Sequence, residues 1–208
     1  MTRVAIIDSQ VAGIAGDMLM SSLVDAGANK TKVLEAIFAC QNFVKGSKII
    51  EAHFAKVIPH GFAATQLQMK YKENVHKHRG SEMYHILARC CDSVGLEQRA
   101  KTFALDSLKK IISAEAIIHG QDFDSVHLHE VSCIDTFIDL VGCATALQDL
   151  LLFDAKIYST KVAVGGGLLK FSHGTIPNPA NAILEIFKNK QFVLVGGQAE
   201  DELTTPTG

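Results

Sequence analysis

The sequence predicts an α/β or mixed α+β fold, a central β-sheet flanked by helices with a small β-hairpin lobe over residues 46–80. Three observations predict it. Short β-branched or alternating runs at residues 4–7, 126–131, 156–164 and 192–195 alternate with longer segments of helical apolar spacing. Glycines and polar caps punctuate those segments where helices begin and end. Between residues 48 and 71 the alternation gives way to β-rich runs around Pro59-His60-Gly61, the pattern of a hairpin.

Taken in order, residues 4–7 read as a buried β-branched strand ending at Asp8, and Gly13-Ile14-Ala15-Gly16-Asp17-Met18 opens a helix that runs toward Gly27. Asn29 caps a second helix over residues 30–42. Residues 74–80 form a polar loop with His76 and His78, and Ser81 is placed to cap the helix that Gly95 ends. The longest helical pattern covers residues 96–119 and stops at Gly120. Residues 126–131 alternate as a strand, and 133–152 form an apolar, buried helix. A strand over 156–164 closes on Gly165-Gly166-Gly167. A loop with His173, a turn at Pro177 and Pro179, a helix over 180–187, a strand over 192–195 and a polar tail from 198 complete the chain. Neither an internal repeat nor a low-complexity stretch interrupts it.

Composition narrows the function classes. With 208 residues, 48% apolar and 20% charged, the chain is long enough to bury a core. A formal net charge of -2 with mixed signs argues against a nucleic-acid surface. Lys70, Lys72, Lys77 and Arg79 form the one basic cluster, read as a solvated loop. No apolar run reaches the roughly eighteen residues of a membrane span, and the N-terminus turns polar too early for a secretory signal. A cytoplasmic protein is expected. Five cysteines at 40, 90, 91, 133 and 143 show no CxxC spacing, which argues against a zinc ribbon or redox motif, and Cys40, Cys90, Cys133 and Cys143 read as small hydrophobes. No GxSxG elbow or cysteine nucleophile motif is present.

Chemistry concentrates in three places. His127-Leu128-His129-Glu130 is followed by Asp135 and Asp139. On a strand, His127 and His129 share a face about 7 Å apart. Asp135 and Asp139, four apart, share a face of a helix. Two carboxylates in an apolar helix call for a cation or a donor, so a metal or acid-base role is expected. His127, His129 and Glu130 are metal-site candidates; Glu130, Asp135 and Asp139 are catalytic candidates. The glycine loop with Gly13, Gly16 and Asp17 either makes a tight connection or presents amides to an anion, and Asp17 is placed to cap the helix or meet a metal. Gly166, within three consecutive glycines, marks a close backbone approach, and His173 lies in an accessible loop.

Several segments, in this order, resemble the LarC-type nickel-insertion family: Gly13-Ile14-Ala15-Gly16-Asp17-Met18, Ala114-Glu115-Ala116-Ile117-Ile118-His119-Gly120, Val126-His127-Leu128-His129-Glu130-Val131 with Asp135 and Asp139, His173-Gly174-Thr175-Ile176-Pro177, and Glu202-Leu203-Thr204-Thr205-Pro206-Thr207-Gly208. The resemblance implies a nickel chelatase of the cyclometallase-type lyases. It inserts nickel into a pyridinium bis-thiocarboxylate mononucleotide, using CTP with Mg or Mn, and the product serves an apo-racemase. It further implies that residues 1–208 form the N-terminal domain, with a separate C-terminal domain or subunit as partner. Gly13, Gly16, Asp17, Gly166 and His173 would meet the nucleotide substrate. The chain departs from the pattern at Ala15, where serine is expected, and at His76, His78 and Arg79, which stand where a longer histidine-rich stretch is common. A non-catalytic nickel storage or delivery subunit and a metal-dependent phosphate-ester hydrolase are the alternatives. The partners expected are the pyridinium nucleotide and a possible second copy of the chain in a homo-oligomer, with no nucleic acid and no membrane.

Overall fold

A computed structural model describes residues 3–74, 78–128, 133–171, 174–196 and 199–208. The fold is mixed α+β, with six α-helices among the described residues. These are α1 (Gly16–Asp25), α2 (Lys30–Cys40), α3 (Gly80–Ser93), α4 (Gln98–His119), α5 (Cys133–Asp149) and α6 (Asn181–Phe187).

The core is helical. Val33, Ala36, Ile37 and Cys40 recur at the spacing of one α2 face and are all buried. They pack against α5, where Phe137, Ile138, Val141 and Ala144 are fully enclosed. Each large side chain so buried contributes about 1.5–3 kcal/mol. The Asn29 side chain accepts from the Thr31 and Lys32 amides, capping α2. Gly120, left-handed at φ 60°, ends α4. Cys40, Cys90, Cys91 and Cys143 are free and buried, and the Cys143 thiol donates to the Gly16 carbonyl, tying α5 to α1.

The strands lie around this core and pair two by two: β1 (Val4–Ile7) with β6 (Lys156–Ser159) and β7 (Val162–Gly165) with β10 (Leu194–Gly196), both parallel. The antiparallel pairs are β2 (Ser47–Val57) with β3 (Ala64–Glu73), β4 (His78–Arg79) with β5 (His127–Leu128), and β8 (Leu168–Phe171) with β9 (Gly174–Pro177). Instead of one broad central sheet, the described strands form these separate ladders, because α1, α2 and α5 already bury their apolar faces on one another.

The local differences from the sequence reading have physical causes. Arg79, not Ser81, is the N-cap of α3: the β4–β5 pairing and the Gly80 amide bond to Val126 O set the entry point, and the Ser81 hydroxyl donates to Asp124 O. The strand expected over 156–164 breaks at 160–161, where the Thr160 hydroxyl accepts from the Ser9 amide and donates to the Asp8 carboxylate. The β8–β9 hairpin stands where the sequence predicts a loop and a turn; its register pairs Leu168 with Pro177, leaving the proline at a strand end. The segment read as a polar tail folds back: Thr204 bridges Ile14, its hydroxyl donates to Ala163 O, and the Thr205 amide donates to Ile14 O. Of the basic cluster, Lys70 and Lys72 lie on β3, where Lys70 meets Glu51 at 3.6 Å; residue 77 lies outside the described residues. No helix among the described residues is long and apolar enough to cross a membrane.

Candidate functional site

Helix α5 supplies the centre of the site. Its first turn is fixed by Glu73 at the end of β3, whose carboxylate accepts from the Ile134 amide and the Ser47 hydroxyl. From that turn onward, Asp135 and Asp139 look out from the same face, Asp135 half-buried and Asp139 buried. The opposite side of that helix buries Phe137, Ile138, Val141 and Ala144 in the core, so the two carboxylates mark a face that leaves it.

Helix α1 crosses α5 at this point. Gly16 is buried there because a Cβ would overlap the Asp139 carboxyl. The close crossing brings Asp17, in the first turn of α1, to the same cavity; its carboxylate accepts from the Met18 amide. The terminal segment closes the other side. The Thr207 hydroxyl donates to Asp139 Oδ2 at 2.7 Å and lies 3.2 Å from the Thr205 hydroxyl. The cavity, about 460 Å³, is also lined by Leu67 and Met69 of β3, Glu115 of α4, Ala180 and Ala182 at α6, and Glu202.

Electrostatics follow from this crowding. Burial, aided by repulsion from Asp135, pushes Asp139 up to about 8, against the opposing pull of the Thr207 hydroxyl. Asp135 is raised as well, first by burial and then by the Asp17 and Glu73 carboxylates. Glu115 is buried and meets His119 Nε2 at 3.4 Å one turn along α4. Five carboxylates thus line one small concavity, an environment that favours protons or a cation. Among the described residues no three His, Cys, Asp or Glu side chains are arranged to enclose a metal ion.

The structure therefore brings Asp17, Asp135 and Asp139 together, with Gly16 as the contact that permits it. Gly13 stands apart: it has φ 69° and packs against the Leu203 and Ala163 carbonyls, where the terminal segment crosses the loop. Gly166 belongs to a second crossing, in which the Asn178 amide donates to Gly166 O and Asp201 O, and Gly165, at φ 81°, packs against Asp201. The close approach expected of the three glycines is there, and its partner is the protein's own terminal segment. His127 is half-buried on β5 opposite Arg79 and is not among the cavity-lining residues. His129, Glu130 and His173 lie outside the described residues.

Sequence reasoning missed Thr205, Thr207, Glu202 and Glu115 as site residues. Glu115 left a signal, an acidic residue among Ile111, Ile112, Ala114 and Ala116 on a buried helix face. The threonines left none in periodicity, since only the folding back of the terminal segment carries them to Asp139.

Comparison with known proteins bears on this arrangement. A family model described as nickel insertion protein matches residues 5–208. The pyridinium-3,5-bisthiocarboxylic acid mononucleotide nickel insertion protein of Staphylococcus saprophyticus is 36% identical over 197 residues, covering 95% of this chain and 47% of its own length. The proteins of the same name from Clostridium kluyveri and Staphylococcus epidermidis are 35% and 34% identical, covering 94% and 100% of this chain and 49% of theirs. The chain thus spans about half the length of these curated relatives. No solved structure matches.

Proposed function

Because the chain belongs to the nickel insertion protein family, we propose that it takes part in inserting nickel into a pyridinium-3,5-bisthiocarboxylic acid mononucleotide, the substrate named for its relatives. The observation that carries this reading is the cavity in which Asp17, Asp135 and Asp139 meet Glu115 and Glu202. Nickel is cargo here, and the site must receive it and let it go. Carboxylate oxygens attract a dication but bind a borderline-soft metal less strongly than sulfur does. Carboxylates that do not close a complete ligand shell suit such a transfer, because the ion can enter on oxygen and leave for the thiocarboxylate sulfurs of the substrate.

Asp135 and Asp139 then have a second role. Forming a nickel–carbon bond breaks a ring C–H bond, whose electron pair becomes the new bond while nickel stays dipositive. The proton leaves to a base. Asp139, raised to about 8 by burial and its neighbours, gives up its own proton as nickel enters, is left ionised when the ion moves to sulfur, and then accepts the ring proton; nearby Asp135 is the alternative acceptor. Glu130 remains a proposed catalytic group, and His127, His129 and Glu130 remain proposed nickel donors. Gly13, Gly16, Asp17, Gly166 and His173 remain proposed nucleotide contacts. The reading includes CTP with Mg or Mn, and an apo-racemase as recipient.

The test uses this chain together with the remaining half of a relative. Mass spectrometry of the nucleotide after incubation with nickel should show a gain of one nickel with loss of the ring proton. In an Asp135→Asn/Asp139→Asn double variant the conversion rate should fall at least about 100-fold, as expected when an acid-base group is removed. Full conversion by that variant, with the fold intact, would exclude the reading.

A further inference from the structure

The ladder of β1 and β6 lacks the cover that parallel strands ordinarily have. Parallel sheets are buried on both faces. Here Ile6 is 70% exposed, Val4 57%, Tyr158 56% and Ile157 47%. Beneath the ladder, an open groove of about 770 Å³ separates it from Met18 and Leu19 of α1, Leu147 of α5 and Leu150 just after it. Among the described residues β1 has a strand on one edge only, so its other edge offers free backbone donors and acceptors. The groove shares no lining residue with the carboxylate cavity, and of the described residues given a role in the reaction proposed above only Gly13 borders it. A small ligand in the groove would still leave Tyr158, which does not line it, and the strand edge bare. Covering all three takes a polypeptide.

We propose that this ladder and its groove receive the polypeptide that makes up the other half of the relatives' length. Two observations select that occupant over a second copy of the chain. The relatives carry about as much chain again as they share with this one. Gly208 packs against the backbone of Ile14, which lines the groove, and of Ala15, which lines the carboxylate cavity, so a polypeptide joined there starts between the two hollows and within reach of the groove. The partner element presents an apolar face to Ile6 and Tyr158 and a strand edge to β1. The inference rests on family membership and not on the nickel chemistry.

The test is co-expression of the 208-residue chain with the polypeptide of the Staphylococcus saprophyticus relative that lies beyond the matched region. The partner can then fold against this chain. A one-to-one complex should co-purify. Ile6→Asp or Tyr158→Asp should weaken it at least about 100-fold, the effect of losing a central interface anchor. Both side chains are largely exposed, so circular dichroism of the variants should match the parent. Asp135→Asn/Asp139→Asn should leave the complex intact, which separates failure of the interface from failure of the nickel reading. No co-purified complex, a complex indifferent to both interface substitutions, or self-association through this face that excludes the added polypeptide would each overturn the proposal.

Discussion

Helix α1 separates two unlike hollows. On one side Ala15 and Asp17 border a cavity of about 460 Å³ crowded with carboxylates, and the β2–β3 hairpin and the terminal segment close around it. On the other, Met18, Leu19 and Leu23 border a larger apolar groove, open beneath a bare two-stranded ladder. The helix is ten residues long, and its successive faces serve opposite chemistries. The polar hollow is finished by the protein's own distant segments and the apolar one is not. That contrast separates the hollow proposed for chemistry from the one proposed for a partner.

Substitutions on the two sides should therefore behave differently, and the largest effect belongs to Asp139. Its folded-state pKa is about 8 against an ordinary 3.8, so the folded protein keeps a proton there that the unfolded chain loses. By linkage, stability from this group falls as pH rises from about 4 to about 8 and stays low above that. The shift corresponds to up to about 6 kcal/mol. Urea denaturation of metal-free Asp139→Asn across that range should show the fall removed, with the gain over the parent greatest at pH 8 and above. A parent and variant with parallel pH profiles would break the polar half of the comparison.

Gly16→Ala comes next. Alanine near the start of a helix ordinarily gains several tenths of a kcal/mol over glycine. Here the methyl would overlap the Asp139 carboxyl, so the sign should reverse to a loss of about 1–3 kcal/mol. Chemical denaturation gives the sign directly. Thr207→Val should cost about 1 kcal/mol through the lost hydrogen bond. Because the hydroxyl pulls the Asp139 pKa down, its removal should also move the Asp139 titration, followed by NMR of the carboxyl carbon, to higher pH. On the apolar side, Ile6→Asp should change the stability of the isolated chain by no more than about 0.5 kcal/mol, since the side chain is mostly exposed. A large loss there would mean that the ladder is part of the core.

The parts of the fold that can be read from sequence are those governed by local rules. Asn29 capping α2, Gly120 ending α4 and the apolar run of α5 depend on the chain within a few residues. The shared face of Asp135 and Asp139 follows from helical spacing alone, and it is why these two can be singled out together. What escapes such reading is set by distant contacts. Arg79 displaces Ser81 as a cap because β4 pairs with β5. Thr207 reaches Asp139 across 68 positions of sequence, and Asn178 ties Gly166 to Asp201. No periodicity encodes such closures. The gap between β1 and α1 is equally invisible, because Val4 and Ile6 read as a buried strand whether or not anything covers them.

The central claim, that the buried carboxylates receive a cation by giving up their protons, is tested most directly by titrating nickel into the chain at about pH 7 in two buffers of different ionisation enthalpy. Binding should release about one proton per nickel, since Asp139 holds its proton at that pH until a dication displaces it. The release should vanish in Asp135→Asn/Asp139→Asn. Binding without proton release, or release that survives in the double variant, would contradict the account.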